Sequence, residues 1–272
     1  MNNLRRELAP ISDAAWILID AEATRVLKLK LAARKLVDFV GPKGPDVGAV
    51  NSGRLEALKS GPVAGVDAAL RRVLPLTELQ ATFELSRAEL DAVERGSENP
   101  DLDPLIDAAT RIAAAEDNAV FHGYAAGGIQ GIDQASTHPP QTISTDFTAY
   151  PRSVAEAARL LRNAGIDGPY AIALGPRCYA GLTQATGPGG YPVLEVVKRI
   201  VDGPLIWAPA VNGAVVLSTR GGDYELTVGR DLSIGYLSHT DATVRLYLTE
   251  SLTFRVLTPE AAVALVYKDK AK

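Results

Sequence analysis

A chain of 272 residues, 47% hydrophobic and 22% charged, is long enough to bury a proper core and too ordinary in composition for a disordered or fibrous protein. Its formal net charge of -4 lacks the basic footprint by which nucleic-acid binders neutralise phosphate, and its one cysteine, Cys178, excludes an internal disulfide framework. The first residues are interrupted by Glu7 and Asp13, so they read as neither a signal-peptide core nor a membrane span, and a cytoplasmic setting is the expectation.

After Pro10, Trp16, Ile19, Ala23, Val26 and Leu27 recur at helical spacing and predict an amphipathic helix from 12 to about 33. Leu29 and Leu31 widen its apolar arc near the end, which points to a contact beyond its own core. The run Lys28, Lys30, Arg34 and Lys35 reads as cations in the last turns, favourable to the helix dipole. From 41 to 79, repeated Gly-Pro pairs break the helical period, and the stretch reads as an extended hairpin arm ordered by a neighbour.

Ser86 and Glu89 have the spacing of a capping box, and Gly96 suits the stop of the helix that follows. Asp103 is the expected N-cap of the next helix, with Pro104 at its first position and Leu105, Ala108, Ile112, Ala115 and Ala119 on its packed face. Ser153 with Glu156 repeats the capping pattern ahead of Leu160 and Leu161, and Gly165 closes that helix. Tyr170–Leu174 reads as a strand, followed by a glycine-rich loop at 186–191 and a helix carrying Leu194, Val197 and Ile200. Segments 205–208 and 214–217 flank Asn212-Gly213 and predict a hairpin. Strands are expected at Tyr224–Val228, 232–236 and Thr243–Val256. With no regular β-α alternation the class is α+β, and the first half should share a core with the last quarter.

Chemistry is sparse. His122, His138 and His239 sit in no nucleophile motif, and each reads as structural. Asp101, Asp103 and Asp107 are accounted for by capping and the helix dipole rather than by a cation. Glu116 and Asp117, adjacent on a helix, point in different directions and suit packing or intersubunit ion pairing better than acid/base work. The glycines at 123–131 follow a helix where a dinucleotide fingerprint must follow a strand. The expectation is a protein that is not an enzyme and needs no metal or other cofactor.

An ordered set of short matches runs nearly end to end: Leu8-Ala9-Pro10-Ile11, Ala15-Trp16, Ala33-Arg34-Lys35 with Val37-Asp38, Val93-Glu94-Arg95-Gly96, and Glu116-Asp117 with Phe121 and Gly123. It continues through Gly128-Ile129-Gln130-Gly131-Ile132, Asp167-Gly168-Pro169-Tyr170, Gly190-Tyr191-Pro192, Ile206-Trp207-Ala208-Pro209, Thr219-Arg220-Gly221-Gly222-Asp223 and Asp231-Leu232-Ser233-Ile234-Gly235-Tyr236. In these the sequence resembles family 1 encapsulins, linocin-like shell proteins of the HK97-like capsid fold.

The resemblance implies a peripheral domain opening with the N-terminal helix (1–40), an extended loop (41–80), more peripheral domain (81–135), an axial domain (136–222) and a return to the peripheral domain (223–272). It implies self-assembly into a hollow icosahedral particle, an encapsulin nanocompartment in the cytoplasm, with no nucleic acid and no membrane as partner. The enclosed cargo, a dye-decolourising peroxidase or a ferritin-like iron-storage protein, would dock through a C-terminal targeting peptide, in the service of oxidative-stress defence or iron storage. Leu27, Leu31, Leu232 and Ile234 would give that peptide apolar contacts, and Arg34 and Asp38 charged ones. Packing and pairing within the subunit is the other reading of these six. Gln184, Thr186, Gly187, Gly189, Gly190 and Tyr191 would line a pore at a symmetry axis. The ending 267–272 departs from the family's shorter apolar endings and reads as an exterior tail. Rival readings are a prophage-type major capsid protein that packages DNA, or a bacteriocin or protease.

Overall fold

The computed structural model describes residues 3–267, so all of the expected tail 267–272 except Tyr267 lies outside the described residues. Helix α1 (Asp13–Lys30) starts where the Ser12 hydroxyl accepts the Ala15 N–H at 3.2 Å, and it buries Ala15, Trp16, Ile19, Ala23, Val26 and Leu27. It is followed by β1 (Asp38–Val40), β2 (Ala49–Ala57), β3 (Ala69–Pro75) and β4 (Thr77–Ser86). Next come α2 (Arg87–Glu94), α3 (Asp103–Phe121), α4 (Ile132–Ala135), β5 (Gln141–Ile143), α5 (Tyr150–Asn163) and β6 (Tyr170–Leu174). The rest is α6 (Pro176–Gln184), α7 (Val193–Val201), β7 (Leu205–Trp207), β8 (Ala214–Ser218), β9 (Tyr224–Val228), β10 (Ser233–His239), β11 (Thr243–Val256) and β12 (Ala262–Tyr267).

These strands make two five-stranded sheets and a separate ribbon. In the first sheet β1, β9, β11 and β10 follow one another and β4 also pairs with β11; in the second the order is β5-β12-β8-β6-β7. Strands β2 and β3 pair only with each other. The last quarter of the chain therefore serves both sheets, β9 to β11 the first and β12 the second.

Several local expectations are not met. The Ser86 side chain makes no capping bond; Glu89, its expected partner, accepts the Asp101 N–H at 3.0 Å instead. The N-cap position of α3 falls on Leu102, and the Asp101 carboxylate takes the Asp103 N–H at 3.0 Å. Ala115 is exposed, and Ala109 and Ala113 hold the buried face in its place. Ser153 lies inside α5, which begins at Tyr150. The hairpin expected across Asn212-Gly213 does not form, because β6 sits between its two arms: Ile172 pairs with Leu205 in parallel and with Val216 in antiparallel register. The connection spans 208–213, too long for a two-residue turn, and the Gly213 carbonyl accepts the Gly175 N–H at 2.9 Å.

Two apolar cores result. Trp16, Ile19, Leu85, Leu105, Ile112 and Leu246 belong to the first, which is shared by the first half and the last quarter as expected. Val154, Leu161, Ile172, Leu174, Val216 and Val263 belong to the second. Each such side chain, fully buried, contributes about 1.5–3 kcal/mol. Helix α3 runs through both, with Leu105 to Ala113 in the first core and Ala119 to Phe121 in the second. Strand β11 does the same, its inward residues being Val244, Leu246 and Leu248 in one core and Leu252 and Phe254 in the other. Where each crosses over, carboxyl groups are buried: Glu116 and Asp117 on α3, Glu250 on β11.

Candidate functional site

The end of α1 meets this polar seam. The helix stops at Lys30 because the next amides turn away from its axis: Ala32 and Ala33 donate their N–H groups to the Asp117 carboxylate at 3.0 and 2.9 Å. Burial pushes the Asp117 carboxyl up to about 7, against the pull of those two amides. The short 3-10 turn Ala33–Lys35 then delivers Arg34 into the seam.

The Arg34 guanidinium meets three carboxyl groups. Its Nε lies 2.8 Å from Glu116 Oε2, its Nη1 2.7 Å from Asp231 Oδ1 and its Nη2 3.0 Å from Glu250 Oε2. Glu116 and Glu250 are fully buried, while Asp231 is 41% exposed. One cation cannot neutralise three anions, and burial together with the adjacent Glu116 raises the Glu250 pKa well above the carboxylate range. Glu250 keeps one oxygen on Arg34, while its other oxygen, Oε1, is buried without a hydrogen-bond partner. Arg34 itself stays charged: burial opposes its charge, and the surrounding carboxyl groups more than offset that and raise its pKa.

Of the six residues assigned to the peptide contact, Leu27, Leu31 and Ile234 are buried in the first core and Leu232 packs partly buried against it. Arg34 joins them through Asp231, which also accepts the Leu232 N–H at 2.8 Å. Asp38 is exposed and accepts the Gly222 N–H at 2.6 Å, beside a cleft of about 150 Å3 lined by Lys35, Ser218, Asp223 and Tyr224. Phe39 and Leu29 are exposed large apolar side chains nearby in sequence, Leu29 by 53%. Glu250, Glu116 and Asp231 were not assigned to this site from the sequence. Glu250 carries a readable signal nonetheless, since it occupies an inward position of β11 between Leu248 and Leu252.

The glycine-rich loop joins α6 to α7 as a self-closed turn. Gly187 N–H donates to the Tyr191 carbonyl at 2.8 Å, Gly190 N–H to the Gly187 carbonyl at 3.0 Å, and Thr186 bridges Pro192. Gly189 and Gly190 both have φ of 78°, a conformation that side-chain-bearing residues rarely adopt. Gln184, Thr186 and Tyr191 are exposed, and the Arg199 guanidinium lies 5.5 Å from the centre of the Tyr191 ring. The loop contains no charged side chain.

Among the described residues no group of three His, Cys, Asp or Glu could hold a metal ion, and no helix is long and apolar enough to cross a membrane.

Residues 1–253 match the family described as "Encapsulating protein for peroxidase". A type 1 encapsulin shell protein of Rhodospirillum rubrum is 54% identical, covering 97% of this chain and 96% of the relative. Another type 1 encapsulin shell protein, from Mycobacterium tuberculosis, is 48% identical over 97% of this chain and 99% of its own length. The crystal structure of a virus-like particle from Pyrococcus furiosus superposes with a TM-score of 0.64 at 17% identity, covering 90% of this chain and 96% of that one, and the shared architecture is the HK97-like capsid fold. The chain belongs to the family of encapsulin shell proteins, structural subunits of capsid-like particles rather than enzymes.

Proposed function

We propose that copies of this chain close into a hollow icosahedral nanocompartment in the cytoplasm and enclose a cargo enzyme, a dye-decolourising peroxidase or a ferritin-like iron-storage protein. The observation that carries assembly is the β2–β3 ribbon. Its register pairs Leu55 with Arg71 and Glu56 with Leu70, so Leu55 and Leu70 stand on opposite faces. They are 68% and 55% exposed, and Val73, on the Leu55 face, is 46% exposed. A two-stranded ribbon with apolar side chains uncovered on both faces and both outer edges unpaired is marginal by itself in water. A neighbouring copy supplies the cover, and repeated contacts of that head-to-tail kind close into a shell when the rotation between copies closes.

In this reading residues 41–80 are the extended loop, the first sheet is the core of the peripheral domain, and the second sheet is the core of the axial domain. The cargo's C-terminal targeting peptide docks at the end of α1, on the apolar group Leu27, Leu31, Leu232 and Ile234 with Arg34 and Asp38 beside it. The family match to an encapsulating protein for peroxidase supports an oxidative-stress role. The loop of Gln184, Thr186, Gly187, Gly189, Gly190 and Tyr191 lines a pore.

Negative-stain electron microscopy of the purified chain, with its mass by light scattering, tests the assembly. Uniform hollow particles are expected. A monomer or small oligomer would sink the proposal.

A further inference from the structure

Helix α3 ends at Phe121, and the next residue, His122, has both ring nitrogens against oxygen atoms. Nδ1 lies 2.6 Å from Asp133 Oδ2 on α4, and Nε2 lies 2.9 Å from the carbonyl oxygen of Ala210, in the connection between β7 and β8. A carbonyl can only accept, and so can a carboxylate. Both contacts are therefore satisfied together only by the imidazolium, with an N–H on each nitrogen; a neutral ring has one N–H and must abandon one partner.

The surroundings favour that cation. Asp133 is the charged group that α4 turns towards the ring, and its other oxygen, Oδ1, is buried with no hydrogen-bond partner. The 208–213 connection contains no titratable side chain, and from α3 the nearest aromatic neighbour is Phe121, with ring centres 6.4 Å apart. The hydrogen bond to Asp133 raises the pKa of His122, with burial opposing and the Ala210 carbonyl assisting. Between His122 and Asp133 the backbone approaches itself closely, since a Cβ at Gly131 would lie 2.2 Å from the Gly123 nitrogen.

Position gives the contact its meaning. At its other end α3 is anchored in the first core, whereas Ala210 belongs to the segment that links two strands of the second sheet. We propose that His122 is a proton-dependent clasp that fixes the spine helix α3 to the second sheet, engaged when the ring carries both protons and released when it loses one. Because the folded-state pKa is raised above the ordinary value of about 6.5, the contribution of the clasp is complete below that pH. It is lost as pH rises through the folded value. In a closed assembly, where the angle between copies must repeat, such a release loosens the angle between the two halves of every subunit.

The test is thermal unfolding of the full chain from about pH 6 to about pH 9, combined with hydrogen exchange of segment 205–214 corrected for intrinsic rates. The native chain, His122→Gln and Asp133→Asn are compared. The expected result is a loss of Tm and of protection across this range in the native chain, a flattened profile in His122→Gln, and a transition moved to lower pH in Asp133→Asn. Parallel profiles for the native chain and His122→Gln, or an unmoved transition in Asp133→Asn, would overturn the clasp. If His122→Gln does not fold, the position of the Asp133→Asn transition decides alone.

Discussion

Two antiparallel ladders in this protein have opposite fates. Strands β4 and β11 pair without a break from Thr77↔Leu252 to Ser86↔Thr243, and their inward side chains, among them Phe83, Leu85, Leu246 and Leu248, close against α3 in the first core. The β2–β3 ladder breaks register between Asn51 and Leu55 and buries almost nothing. Backbone hydrogen bonds are made in both. What separates them is cover: β4–β11 is completed by its own chain, whereas among the described residues no further strand pairs with the ribbon.

Deleting 44–74 strikes at this contrast most severely. Closed particles should vanish in light scattering while far-ultraviolet circular dichroism and the two-core subunit persist; normal particles from such a variant would show that the ribbon braces nothing. Arg34→Ala comes next, because it leaves Glu116 and Glu250 buried without their cation, and urea titration should show a loss of about 3–5 kcal/mol. A silent Arg34→Ala would mean that the seam is not held by charge. Leu105→Ala, in the completed core, should cost about 2–5 kcal/mol, whereas Leu55→Ala on the ribbon should change subunit stability by less than about 0.5 kcal/mol and register only in assembly. Equal costs for the two leucines would erase the distinction between the ladders. A further effect, read in pH, concerns Asp117. Its folded carboxyl titrates at about 7 against an ordinary 3.8, so its contribution is greatest in acid and is lost as pH climbs towards 7. Asp117→Asn should flatten that part of the stability–pH curve, and an unchanged slope would assign it to other groups.

The readable features of the sequence are those whose cause is local. Ser12 starts α1 through a bond three residues away, and the alternation Val244, Leu246, Leu248 marks the inward face of β11. The arm was legible as a break in period from 41 to 79, although its last residues, from Thr77, already belong to β4. Two of the errors share a physical origin, a distant partner that outcompetes a local one. Glu89 leaves the Ser86 cap for the Asp101 amide, and β6 separates β7 from β8. Strand β12 was missed, since Ala262–Tyr267 is a short apolar run whose partners, β5 and β8, lie far back in the chain. At the candidate site the apolar residues and Arg34 were named through resemblance, and the structure brings Arg34 to Leu232 through Asp231. The carboxyl groups that hold Arg34 were not legible, because Glu116 is 82 residues away from it and Glu250 216.

The polar seam gives the subunit a mechanical character. Apolar contact has no preferred direction, whereas each hydrogen bond of the Arg34 cluster holds only in a narrow geometry. With α3 and β11 passing through it as continuous struts, the seam joins the two cores, and a turn of one core against the other has to displace the Arg34 cluster.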